Sequence, residues 1–329
     1  MKKNLLYLLA LILLGAVAWY YANDGSTINE TRMDRRDFSV ENIDEVDKII
    51  ISSKTPSSIS LSKQNDGTWI VDDQFLARQK NVELLLKTMS RMEIKNPISK
   101  LMETQVIKKM SAESSKVEVF KNGKVDKVFY VGHNTPDNLG TYMLLKGGAK
   151  PYAIHLPGHN GYLNSRFYSN PYLWRDRSVF NIDNIDIESV SMNYGLGDKL
   201  GFSITKEGNS YILKNHLNEN MEFDPIKVNE YLASFREIRH EGFILDSDPI
   251  NGEKLEQQLP YFDLTIKAKG QKELALRSYY KMNEMLDASN KRFVEPDNDR
   301  MYARMNGDYF IIQYYNFNKI LKSNIDFKK

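Results

Sequence analysis

RRDFSVENIDEVDKIIISSK (35–54) and RDRSVFNIDNIDIESVSM (175–192) decide how this chain is read. Each begins with a charged cluster, passes through a short acidic turn and opens an apolar-alternating strand. Val46, Ile49 and Ile51 carry the first strand, and Ile187, Val190 and Met192 the second. Working outward, each is followed by two alternating runs around a glycine turn. These runs are SSISLSKQNDGTWIVDD in the first half and GFSITKEGNSYILKN in the second, and Asn-Asp-Gly between such runs is a strong hairpin signal.

A helix follows in both halves. Val82, Leu85, Leu86, Met89 and Met92 recur at 0, +3, +4, +7 and +10, and Val228, Tyr231, Leu232, Phe235 and Ile238 repeat those offsets. That spacing lines one face of an amphipathic helix. Asp224-Pro225 supplies an N-cap and a proline at the first helical position. Next come a short helix (TQVIKKM against GEKLEQQL), two strands and a closing pair around a glycine turn. The expected fold is therefore α+β, as two tandem duplicated modules. Each is mainly an antiparallel sheet with one main amphipathic helix. The first spans 34–155, an aromatic linker 156–174, and the second 175–329.

Ahead of the modules, Lys2 and Lys3 precede an uncharged run from Leu5 to Ala22. As a helix this run is roughly 27 Å long, enough for a hydrocarbon core. Residues 1–22 are read as a transmembrane signal anchor and the polar 23–33 as a tether. Trp19, Tyr20 and Tyr21 stand where an interfacial aromatic belt belongs, and the lysines place the N-terminus inside. Ala16-Val17-Ala18 also fits a cleavage site. The alternative is then a protein released to the periplasm after cleavage near Ala18.

With a net charge of +2 and no basic stripe, the composition points away from nucleic acid. The absence of cysteine removes disulfides, thiol nucleophiles and thiolate zinc sites. Between His155 and His159, Pro157 and Gly158 break the helix a metal pair would need. The glycines 195, 197 and 201 join two strands instead of opening a helix, unlike a dinucleotide fingerprint. Asp246–Gly252 lacks calcium-loop spacing and reads as a polar loop capping the next helix. No catalytic residue, cofactor or metal is assigned. A paired charged cluster stands out, Arg35 and Arg36 in the first half and Trp174, Arg175, Asp176 and Arg177 in the second. It reads either as a docking site for an acidic partner or as an arginine–aspartate clasp at the start of each module. His133 falls in FYVGHNTPDNLGTYMLLKG (129–147), where Pro136-Asp137-Asn138 is good turn chemistry. It is expected at the tip of a hairpin, exposed for contact.

The hairpin VGHNTPDNLGTYMLL with PYAI after it, GTWIV with its helix, and the WRDR junction resemble an uncharacterised bacterial family. That family is a domain of unknown function found in membrane-anchored envelope proteins. Some members are encoded beside gliding-type ABC transporter components, notably in Bacteroidetes. The resemblance implies an inner-membrane-anchored, extracytoplasmic location and an accessory role in envelope transport, with membrane transporter subunits as partners. The expected protein is a non-enzymatic accessory or interaction subunit. The alternative is a periplasmic binding module for a glycan, peptide or small molecule, using a cleft between the repeats lined by Tyr162, Phe167, Tyr168, Tyr172 and Trp174. A hydrolase with a dispersed site is a third reading.

Overall fold

A computed structural model describes residues 34–54, 57–195, 198–286 and 290–329. The expected anchor (1–22) and tether (23–33) lie outside the described residues. Among those described, no helix is long and apolar enough to cross a membrane. The chain divides into two compact units, the first ending at Asp176 and the second beginning at Arg177.

In the first unit the chain runs through β1 (Val46–Ser52), β2 (Ser58–Lys63), β3 (Trp69–Val71), β4 (Phe75–Leu76), helix α1 (Gln79–Arg91), β5 (Glu93–Pro97) and helix α2 (Lys100–Glu113). It continues through β6 (Ser115–Lys121), β7 (Lys124–Asn134), β8 (Thr141–Leu145), β9 (Tyr152–His155) and the one-turn helix α3 (Pro171–Trp174). The strands form one sheet in the order β4-β3-β2-β1-β6-β7-β8-β9-β5. All its pairings are antiparallel.

Alternation along the strands sends Ile49, Ile51, Leu61, Val117, Val119, Phe129, Val131, Met143 and Ile154 to one face, into a core shared with Val82, Leu85 and Met89 of α1. The helix face expected from the sequence is the one that packs. Tyr142 and Ala153, one residue out of phase, join Val106 and Met110 of α2 in a smaller cluster on the other face. The sheet is thus covered on both sides. Its second helix is longer than the short stretch expected, because it has this second face to cover.

The aromatic stretch 156–174 does not behave as a linker. Leu163, Phe167 and Trp174 are buried in the core of the first unit. The Trp174 indole N–H donates to the Tyr168 carbonyl at 2.8 Å, and the Trp174 carbonyl accepts from the Arg78 N–H at 2.7 Å. Large apolar rings gain more from leaving water than from bridging polar surfaces. The first unit therefore extends past 155 and absorbs the stretch whole.

The second unit contains β10 (Ser178–Phe180), β11 (Ile187–Tyr194), β12 (Phe202–Glu207), β13 (Ser210–Asn215), helix α4 (Pro225–Ala233), β14 (Ile238–Arg239), β15 (Gly242–Phe243) and helix α5 (Gly252–Glu256). After these come β16 (Pro260–Ala268), β17 (Leu274–Leu286), β18 (Arg292–Met305), β19 (Asp308–Gln313) and helix α6 (Tyr314–Phe317). Asp224 caps α4 as expected, its carboxylate accepting from the Ile226 N–H at 2.9 Å. The helix is shorter than its periodicity, however. It stops at Ala233, and Glu237 takes a positive φ of 54°. Phe235 and Ile238 are still buried, but from the turn and from β14, which pairs with β10.

The larger sheet has the order β13-β12-β11-β16-β17-β18-β19-β15. Place by place this is the order β3-β2-β1-β6-β7-β8-β9-β5 of the first unit, with β4 as an added edge there. In both, a short strand between the main helix and the next helix pairs with the last strand of the meander, β5 with β9 and β15 with β19.

Candidate functional site

The charged clusters are held in different ways. Arg35 and Arg36 are exposed, and the Arg36 N–H donates to the Asp34 carboxylate at 3.1 Å. The start of the module is fixed by other groups. Phe38 is fully buried, and the Lys127 ammonium donates to the carbonyls of Asp37, at 2.6 Å, and Ser39. Burial lowers the pKa of that lysine. Trp174 and Arg175 are buried. The Arg175 guanidinium lies 3.7 Å from the centroid of the Phe75 ring, a cation–π contact. The Asp176 N–H donates to the Leu76 carbonyl at 2.7 Å, and the Arg177 carbonyl accepts from the His240 N–H at 3.0 Å. Arg175 and Asp176 therefore lace the chain to β4.

His133 is not at the exposed tip of its hairpin, as expected, but half-buried near the end of β7. Val131 pairs with Met143 and Asn134 with Thr141, so β7 carries one residue more than β8 between these points. Such a bulge re-aims the side chains beyond it. Strict alternation would send His133 to the α1 side with Phe129 and Val131. Instead its ring stands edge-on to Tyr142, on the α2 side, with centroids 5.0 Å apart. Gly132 makes the close approach of α2 feasible, since a Cβ there would lie 2.6 Å from Met110 Cγ and 3.1 Å from the Tyr142 carbonyl.

The hairpin tip is closely hydrogen-bonded. The Thr135 N–H donates to the Gly140 carbonyl at 2.9 Å, and Asn138 takes φ 55°. The Asp137 carboxylate accepts from the Thr135 hydroxyl, the Leu139 N–H and Lys95. These bonds, the Thr135 hydroxyl first, hold its pKa far below the usual carboxylate range.

Between this tip and α2 lies a cavity of about 330 Å³. Met102, Gln105, Val106 and Lys109 reach it from one face of the helix, while His133, Asn134, Thr135, Pro136 and Tyr142 line the other side. The His133 Nδ1 is buried without a hydrogen-bond partner among the described residues. Burial, and then Lys109, lower the imidazole pKa against a smaller opposing effect of Glu113. Burial, and then Asp137, raise that of Tyr142. The lining offers a neutral imidazole, a phenol, an amide and one ammonium. A larger concavity of about 520 Å³ in the second unit is different in kind. Its arginines are already paired, Arg277 with Asp263 at 2.7 Å and Arg304 with Glu256 at 2.9 Å.

Other sequence features are structural. His159 Nε2 lies 3.4 Å from an Arg166 guanidinium nitrogen. Among the described residues, no cluster of three or more His, Cys, Asp or Glu could hold a metal ion. Asn251 caps α5, accepting from the Lys254 N–H at 3.2 Å, and Asp248 accepts from the Leu245 N–H at 2.8 Å. Part of the glycine-rich turn 195–201 lies outside the described residues.

Residues 69–258, more than half of the chain, match a family described as a domain of unknown function, DUF4340. The chain belongs to this family. No curated protein and no solved structure matches it. The DUF4340 match begins with β3 and ends just after α5. It therefore includes the His133 cavity.

It stops short of a second feature, which sequence reading missed. β17 and β18 pair from Leu276–Met305 out to Leu286–Arg292. The neighbouring β16 reaches only Tyr279, and β19 only Arg300. Residues 282–286 and 292–296 thus form a two-stranded arm beyond the sheet. Met282, Met285, Leu286, Phe293 and Val294 on it are 40–59% exposed. At its base the strand is irregular between Tyr280 and Met282. There Asp297 accepts from Lys281 and from the N–H groups of Asp299, at 2.8 Å, and Arg300, at 2.9 Å. The apolar run and the turn-rich EPDND were visible in the sequence. Their pairing was not.

Proposed function

We propose that this chain is a non-enzymatic, membrane-anchored extracytoplasmic protein, an interaction subunit of an ABC-type envelope transport or surface-assembly system. The observation that carries an interaction role is the β17–β18 arm. An isolated two-stranded ribbon is marginal in water, and five large apolar side chains displayed on one are costly unless a partner covers them. The membrane anchor rests on the uncharged segment from Leu5 to Ala22 behind two lysines. The transporter partner rests on the sequence resemblance alone.

We further infer that the two units arose by duplication. The shared order of eight strands supports this, as does the matching apolar spacing around the main helix. The arm is then an elaboration of the hairpin that in the first unit is the compact β7–β8 tip. Binding in a cleft lined by the linker aromatics loses support, because Phe167 and Trp174 lie in the core of the first unit.

The test is affinity purification of the full chain from detergent-solubilised membranes. Membrane transporter subunits should co-purify with the wild type and be lost from a Met285→Glu, Phe293→Glu double variant of unchanged thermal stability. Recovery of the wild-type chain alone in the soluble periplasmic fraction would defeat the proposal.

A further inference from the structure

We propose that the cavity between α2 and the bulged end of β7 is a binding site for a small organic monocarboxylate. Of the polar groups around it, those of Asn134 and Thr135 are engaged within the hairpin tip and the others are unused. Tyr142 is 5% exposed, and among the described residues neither its hydroxyl nor the Lys109 ammonium nor the Gln105 amide has a hydrogen-bond partner. The buried His133 Nδ1 is in the same state. Gln105 and Lys109 are exposed, but His133 Nδ1 is a buried polar atom of the kind that is ordinarily satisfied, and its lack of a partner beside a cavity points to an occupant.

The lining sets the chemistry of that occupant. Lys109 is its single charged residue, and no carboxylate lines it. Nearby acids are answered elsewhere or weakly placed. Asp137 is paired with Lys95 at 2.9 Å, and Glu113 lies one helical turn beyond Lys109. One ammonium beside neutral donors balances a single negative charge, whereas a phosphate dianion would be left under-neutralised. The two carboxylate oxygens would accept from Lys109 and Tyr142. The apolar body would lie against Met102, Val106 and Pro136. A volume of about 330 Å³ suits a small ligand, at the lower end of the usual range for such sites.

The site lies in the first unit and does not depend on the arm. It is tested on the full chain in detergent, labelled at histidine Cε1, with sodium benzoate as the probe. Benzoate should shift the His133 resonance saturably, identified by its loss in His133→Gln. Benzamide, the neutral isostere, and Lys109→Gln with benzoate should each weaken binding roughly tenfold, the order expected for one charge-assisted hydrogen bond. Tyr142→Phe should also weaken it, in a protein shown by its melting temperature to be folded. Lack of a saturable shift, equal binding of benzamide, displacement of benzoate by equimolar inorganic phosphate, or unchanged affinity in Lys109→Gln would each overturn the assignment.

Discussion

The His133 imidazole lies edge-on to the Tyr142 phenol ring, 5.0 Å between centroids, although strand alternation alone would put the two on opposite faces of the sheet. One extra residue in β7 turns the histidine over. The cavity beneath α2 exists because of that insertion and because Gly132 lets the helix come close.

Gly132→Ala tests the close approach. The added methyl would meet Met110 Cγ at 2.6 Å, and the less yielding Tyr142 carbonyl at 3.1 Å. The variant should lose about 1–3 kcal/mol in urea unfolding, the usual penalty of overpacking. An unchanged midpoint would mean that α2 does not sit against β7.

Trp174→Ala tests whether the aromatic stretch belongs to the first core. Trp174 is 1% exposed, so truncation should cost about 3–5 kcal/mol. Tyr162, 43% exposed in the same stretch, should tolerate alanine within about 0.5 kcal/mol. Equal effects at the two positions would contradict the packing described.

Acid should weaken the first unit through its histidines. Burial is the largest influence on both His133 and His155 and lowers each pKa from its ordinary 6.5. At His155, Glu93 opposes the shift while Lys95 and Arg35 reinforce it. The unfolded chain takes up protons first as the pH falls. The stabilisation is therefore complete above pH 6.5 and is lost as the pH drops through the lower folded values. Urea midpoints measured on either side of pH 6.5 should show the slope, and a His133→Gln, His155→Gln variant should flatten it.

Asp297 is the staple at the base of the arm. Burial alone would raise its pKa, but Lys281 and two backbone N–H groups hold it down to about 2. Its contribution is present above the ordinary 3.8 and lost as the pH falls through about 2. Asp297→Ala should cost about 1–3 kcal/mol by stranding the donors it satisfies. Limited proteolysis should then cut the arm faster than in the wild type, and an unchanged cleavage rate would remove Asp297 from that role.

Much of the local structure was legible because it follows from short-range rules. Alternation placed Ile49, Ile51, Val190 and Met192 in strands, and helical spacing placed Val82, Leu85 and Met89 on the buried face of α1. Asp224-Pro225 marked the start of α4. The same rules overran at Phe235 and Ile238, which are buried at helical spacing after the helix has ended. Burial, which the pattern reports, does not require that the helix continue.

Periodicity, capping and turn residues only a few positions apart were enough for the mixed, mainly antiparallel class and for most strands and the main helices, but not for the short strands β4, β5, β14 and β15. The tertiary structure decided which strands pair, that 156–174 joins the first core, that His133 turns toward Tyr142, and that β17 and β18 outrun their neighbours. Each of these depends on residues far apart in the chain. A one-residue bulge or an uncovered strand end leaves no periodic trace, because it is defined by the partner across the sheet.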